Sequence, residues 1–231
     1  ITLRLWVLVC AVCVGNTACT ATGGIRENFY LPSSQEGQKL PLRVALVADS
    51  AMKSQRLTLR NMMRGDTIEV NLQPGLINAV RGELAVVFQD VTIVESAKQA
   101  KEQDLLAIPT MSFEQSDSLG QGFKSQIKLT FKDIRSGTLV TSYDQTAVKI
   151  IPPPGAGEQV GGAAMAGASL GLLLPLVLHQ QATSQLERTT LSVEEGIAQS
   201  LRTISGDIQG DRVWTLYLAG KLPGFGESTV A

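Results

Sequence analysis

Apolar and polar positions alternate along residues 67–72, placing Ile68, Val70 and Leu72 on one face. A period of two predicts a half-buried strand. Before it, 42–48 is a Val- and Leu-rich run ended by Asp49 and Ser50 and reads as a buried strand. The stretch between, through Arg56, Arg60 and Arg64, reads as a polar excursion. After residue 72 the period changes. Leu76, Ile77, Val80, Leu84, Val87 and Phe88 recur at helical spacing on one face. Pro74 stands in front of them, at a position where its missing N–H costs nothing.

Short elements follow, then long ones. Residues 91–94 read as a strand, 97–103 as two helical turns, and 104–113 as a strand in which Pro109 marks an edge or a bulge. Strands over 124–134, with Ile127, Leu129 and Phe131 facing one way, and 138–150 are joined tightly by Arg135, Ser136 and Gly137, which makes them a hairpin. A last helix opens at Ser192, where Ser192 and Glu195 have capping-box spacing and Val193, Ile197, Leu201, Ile204 and Ile208 form a stripe. This order predicts an α+β fold over 42–151 and 186–210: a mostly antiparallel sheet with two main helices packed on it.

The two ends and one interior stretch do not fit that pattern. Arg4 precedes a charge-free run over 5–15, and Asn16, Thr17 and Ala18 lead into Cys19. A charged, apolar, small-residue order is that of a secretory signal, here 1–18. The apolar run is short of the roughly 20 residues a bilayer span requires, which favours a cleaved leader over an uncleaved anchor. Residues 20–41, rich in Gly, Ser, Gln and Pro, read as a flexible tether behind Cys19.

The interior stretch is 152–185. From 159 to 185 no residue carries a formal charge if His179 is neutral, and the apolar run contains Leu170, Leu172, Leu173, Leu174, Leu176, Val177 and Leu178. Such a segment needs cover, and three kinds are open: its own domain, a neighbouring subunit, or the membrane surface. Gly and Pro175 weaken the last. In the tail, 211–231, Trp214, Leu216 and Leu218 alternate with Thr215 and Tyr217, as in an edge strand of the sheet or a strand donated to a neighbour. With aromatics only 5% of the chain, Trp214, Tyr217 and Phe225 are the candidate partner surface.

Composition narrows the function classes. Formal net charge is -1 with signs interspersed, so no basic stripe for nucleic acid exists. The cysteines Cys10, Cys13 and Cys19 all lie within the first twenty residues, and the chain beyond has one histidine, which leaves a transition metal without a ligand set. The Cys10/Cys13 pair lies in the apolar leader and reads as leader composition. Gly167, Ser169 and Gly171 spell a nucleophile-elbow pattern, but the lone His179 follows with no acid between them. Gly155, Gly157 and Gly161 follow three prolines rather than a doubly wound sheet. No cofactor and no enzymatic activity are expected.

A cysteine just after small residues resembles the lipobox of bacterial lipoproteins, with Asn16 standing where that family usually has Leu. The resemblance implies acylation of Cys19, the alternative being ordinary cleavage nearby, and Thr20 in place of Asp implies the outer membrane. In the domain, "PLRVALVADS", "TIEVNLQPGLINAVRGEL", "IKLTFKDIRSGTLVTSY" and "LSVEEGIAQSLRTI" resemble the YajG-type periplasmic lipoproteins and, more loosely, the TolB N-terminal, GNA-type and CsgG-like envelope domains. That resemblance implies a non-enzymatic, oligomeric accessory protein of an envelope assembly, with the membrane and other envelope proteins or its own copies as partners. The pore-lining insertions of CsgG have no counterpart. The alternative expectation is a module sheltering a lipid or other apolar ligand.

Overall fold

The computed structural model of the protein describes residues 20–30, 32, 39–60, 66–117, 121–153 and 174–220, and for 174–182 the backbone alone. In chain order the elements are β1 (Thr20–Gly24), β2 (Leu40–Val47), α1 (Ser50–Lys53), β3 (Arg56–Arg60), β4 (Thr67–Asn71), α2 (Gly75–Val87), β5 (Phe88–Val94), a 3-10 turn (Ala97–Gln99), β6 (Leu105–Gln115), β7 (Gly122–Asp133), β8 (Leu139–Ile150), α3 (Leu174–Gly210) and α4 (Val213–Leu218). The fold is α+β with two main helices, as the periodicity predicts.

Two sheets form instead of one. The larger has the order β5-β2-β6-β7-β8 and the smaller β1-β4-β3. The long pairings, β6 with β7 and β7 with β8, are antiparallel, while β2 runs parallel to both β5 and β6 and β1 runs parallel to β4. β7 sits between two partners, and its alternating Phe123, Ser125, Ile127, Leu129 and Phe131 all face the core. On that side lie α2 and α3. The α3 stripe Val193, Ile197, Leu201, Ile204 and Ile208 is wholly buried, and each such side chain contributes roughly 1.5–3 kcal/mol. The opposite face of the sheet keeps a small satellite core of Ala45, Val94, Ala100 and Leu106.

Glutamine side chains stitch the sheets together. Gln115 Oε1 accepts from Arg60 N at 2.6 Å while its Nε2 donates to Arg60 O at 2.9 Å, as a neighbouring strand would. Gln55 Nε2 donates to Met111 O at 3.2 Å. The last residue of β6 paired with β2 is Ala107. Pro109 lies just beyond it, facing the same side as Met111, so its missing N–H breaks no ladder bond. Thus β6 is an interior strand over 105–107 and beyond that an edge on its β2 side, which is where its proline falls.

Several expectations are corrected. Residues 20–30 are no loose tether: β1 pairs with β4, and Ile25 and Tyr30 belong to the core. The polar excursion contains β3, whose Leu57 and Leu59 are buried between exposed arginines. The helical turns after β5 shrink to Ala97–Gln99. The last helix does not open at Ser192: it is already formed at Leu174, and 37 of its residues are described, to Gly210. Ser192 and Glu195 therefore sit in mid-helix and cap nothing, and residues 174–185 of the expected insert are helix. The tail is helical over Val213–Leu218 rather than a strand.

Candidate functional site

The residues singled out by sequence fall into three groups. Cys19, Leu170, Leu172, Leu173 and Phe225 lie outside the described residues, Cys19 immediately before β1. Leu174, Leu176, Val177 and Leu178 lie on the first turns of α3. Trp214 and Tyr217 are on α4, and there the expected partner surface is corrected. Trp214 is 2% exposed and fills the core. In a run this short, alternation does not distinguish strand from helix. Val213, Trp214 and Tyr217 share a helical face against the core, which leaves Leu216 and Leu218 outward.

Trp214 is an anchor inside its own chain. Its ring stands edge-on to Phe88 and Phe131, centroids 5.4 and 5.3 Å away. Its Nε1 donates to Tyr143 Oη at 3.0 Å, and Tyr143 donates in turn to Asp211 Oδ2 at 2.9 Å. Beside it Tyr217 donates to Asp133 Oδ2 at 2.6 Å, and Asp133 Oδ1 accepts from Ser136 N and Oγ. Burial and then the neighbouring carboxylate push the hydroxyls of Tyr143 and Tyr217 well above their ordinary 10.0. Burial alone would raise Asp133, but the hydrogen bonds from Tyr217 and Ser136 outweigh it and hold the carboxyl below its ordinary 3.8.

A second fastening holds the N-terminal segment. Arg26 donates from its backbone N to Glu194 Oε1 at 2.8 Å, and its guanidinium grips the same carboxylate through Nε and Nη2. Glu194 itself is buried on α3. Pairing with it raises the pKa of Arg26 further. Tyr30 donates to the buried Glu83 of α2, and the Arg202 guanidinium stands 5.8 Å from the centre of its ring. Gly23 makes room for Leu186, whose Cδ2 would lie 2.9 Å from a Cβ there. These buried carboxylates act as fasteners between layers. Composition alone gave no sign of them, since their partners are far away in sequence.

What remains outward is the edge strand β8. It is one of the two outer strands of the larger sheet, β5 being the other, and on its outer side Val148 is 63% and Ile150 78% exposed. Leu139, at its other end, is exposed as well. Among the described residues no strand pairs with its free side, and an edge carrying apolar side chains is a template for another strand. Sequence reading assigned this strand to the hairpin but missed its outer face. The signal was present, because 147–151 is apolar at every second position on both faces apart from Lys149.

Between α2, α3 and β7 a gap lined by Val80, Glu83, Leu84, Leu129, Leu201 and Ser205 is too tight for a water molecule, and so for an acyl chain. Among the described residues no group of His, Cys, Asp and Glu is placed to hold a metal ion, and no helix is long and apolar enough to cross a membrane.

No family model matches the sequence, and no curated protein matches it. Similar solved structures include a Xanthomonas campestris protein of the DUF330 family, 11% identical, with 88% of this chain and 99% of that one covered at a TM-score of 0.43. Another is the uncharacterized lipoprotein B of Nitrosomonas europaea, 9% identical over 83% of this chain and 96% of that one, at a TM-score of 0.39. Overlaps of this size leave the family open.

Proposed function

We propose that the chain is an outer-membrane lipoprotein, anchored through Cys19, that serves as a non-enzymatic accessory component of an envelope assembly and works through protein contacts. The carrying observation is the order of the first twenty residues: Arg4, a charge-free apolar run, small residues and Cys19, followed without a break by a strand of the folded body. Two features support protein contact as the mode of action. The buried carboxylates Glu83, Glu194 and Asp133 are each engaged in holding elements together, and the β8 edge offers Val148 and Ile150 outward. Oligomerisation through that edge is part of the proposal.

The test begins with the intact mass of the mature protein and its membrane fractionation beside a Cys19→Ser variant. The expected result is a chain starting at Cys19 with added acyl mass, and a variant released from the membrane. An unmodified chain that still sediments with outer membranes would sink the lipoprotein reading.

A further inference from the structure

We infer that the domain rests directly on the lipid surface by the end of the molecule where β1 begins, with the first turns of α3 at that surface and the β7–β8 hairpin pointing away. This rests on the lipoprotein reading above and adds to it an orientation.

No free chain separates the anchor from the fold. Cys19 is the residue before Thr20, the first residue of β1. One residue spans at most about 3.6 Å, so an acylated Cys19 leaves the strand no slack. Nor is β1 free to peel away. It pairs with β4 from Thr20↔Thr67 to Gly24↔Asn71, and behind it Ile25 is buried and Arg26 is held by Glu194. A lipid inserted in the bilayer therefore brings the Thr20 end of the smaller sheet down to the headgroups.

The direction of α3 decides what else arrives there. Gly23 stacks on Leu186 and Arg26 bonds to Glu194, so β1 and α3 run the same way. From Gly23 back to Thr20 is about 10 Å of strand, which about seven helical residues cover. The start of β1 is thus level with the α3 backbone near residue 179, and 174–178 project past it. That projecting turn reads Leu, Pro, Leu, Val, Leu, and no formal charge appears in α3 before Glu187. An apolar, uncharged turn of this kind suits the bilayer interface. Among the described residues this end also carries exposed Arg60, opposite Thr67 on β4, half-buried Asp66, and Asp117, which Gln115 ties to Arg60. At the far end, Tyr143 of β8 bonds to Asp211, and Asp211 lies about 48 Å farther along the helix direction. The Arg135–Gly137 connection is beyond it.

The test labels the acylated mature protein, in vesicles of phosphatidylethanolamine and phosphatidylglycerol, at Arg60→Cys or at Arg135→Cys. Both side chains are exposed arginines, and acylation leaves no other thiol in the mature chain, since Cys10 and Cys13 go with the leader. A lipid bearing a nitroxide on its headgroup should quench the fluorophore at position 60 several-fold more than at position 135. Equal quenching, with acyl mass confirmed, overturns the orientation and leaves the lipoprotein reading standing. An unmodified Cys19 overturns both.

Discussion

Asp133 closes β7, anchors the turn into β8 through Ser136 and receives Tyr217 from α4. Its depressed pKa means that it stabilises the fold above its ordinary 3.8 and that this contribution is lost as pH falls through the lower folded value. The tyrosines act at the other end of the scale. Tyr30, Tyr143 and Tyr217 are raised from 10.0, so their contribution is complete below pH 10 and is lost as pH rises through the raised values. Unfolding free energies from urea titrations between pH 7 and 12 should hold level to about 10 and then drop steeply, and Tyr217→Phe should lower the plateau by about 1–3 kcal/mol while making the alkaline drop shallower. Ser205 behaves in the opposite sense. Its Oγ is buried with no hydrogen-bond partner among the described residues, a cost of about 1–3 kcal/mol. Ser205→Ala should leave thermal stability unchanged or raise it, and a lower melting temperature would show that the hydroxyl is satisfied in solution.

At the scale of elements, periodicity found what has two faces and missed what has competing ones. The β7 alternation and the α3 stripe are legible because each buries one clean face. β3 was hidden by its arginines, although Leu57 and Leu59 keep the two-residue period between them. The start of α3 was misplaced because Ser192 and Glu195 imitate a cap, while the segment before them has no charged residue to mark its solvent side until Glu187. Over the six residues of α4 alternation fits both periods, and only the packing of Trp214 against Phe88 and Phe131 decides for the helix. The β8 edge is the element most open to test. If it pairs with a partner strand, Val148→Lys with Ile150→Lys should abolish cross-linked oligomers while changing the unfolding free energy by no more than about 0.5 kcal/mol, because both side chains are solvent-exposed. Oligomers that persist in the double variant would move the contact elsewhere.

For the whole molecule, the chief difference between sequence expectation and structure concerns where the body begins. A Gly-rich opening looked like a spacer, yet Gly23 and Gly75 are small because Leu186 and the backbone of Arg26 press against them. Close approach between layers cannot be read from composition. The candidate site was legible in the same uneven way: the cysteine could be found from its neighbours, whereas the fastenings that fix the strand after it depend on Glu83 and Glu194, distant in sequence. A chain starting at Lys39 should therefore be less stable and less cooperative than one starting at Thr20, since it lacks β1, Ile25, Arg26 and Tyr30. Equal denaturation curves for the two would show that 20–30 is an accessory strand rather than part of the folding unit.

The aromatic cage at the far end also gives the protein a built-in optical probe. The chain has two tryptophans, Trp6 in the leader and Trp214 in the core, so removal of the leader leaves a single emitter. Tyr217 stands 6.4 Å from its ring and Tyr143 is hydrogen-bonded to its indole, close enough for light absorbed by either phenol to emerge from the indole. Blue-shifted emission, shielded from acrylamide, would then report the docking of α4 alone, and comparison with far-ultraviolet dichroism during unfolding would show whether the two ends of the molecule melt together.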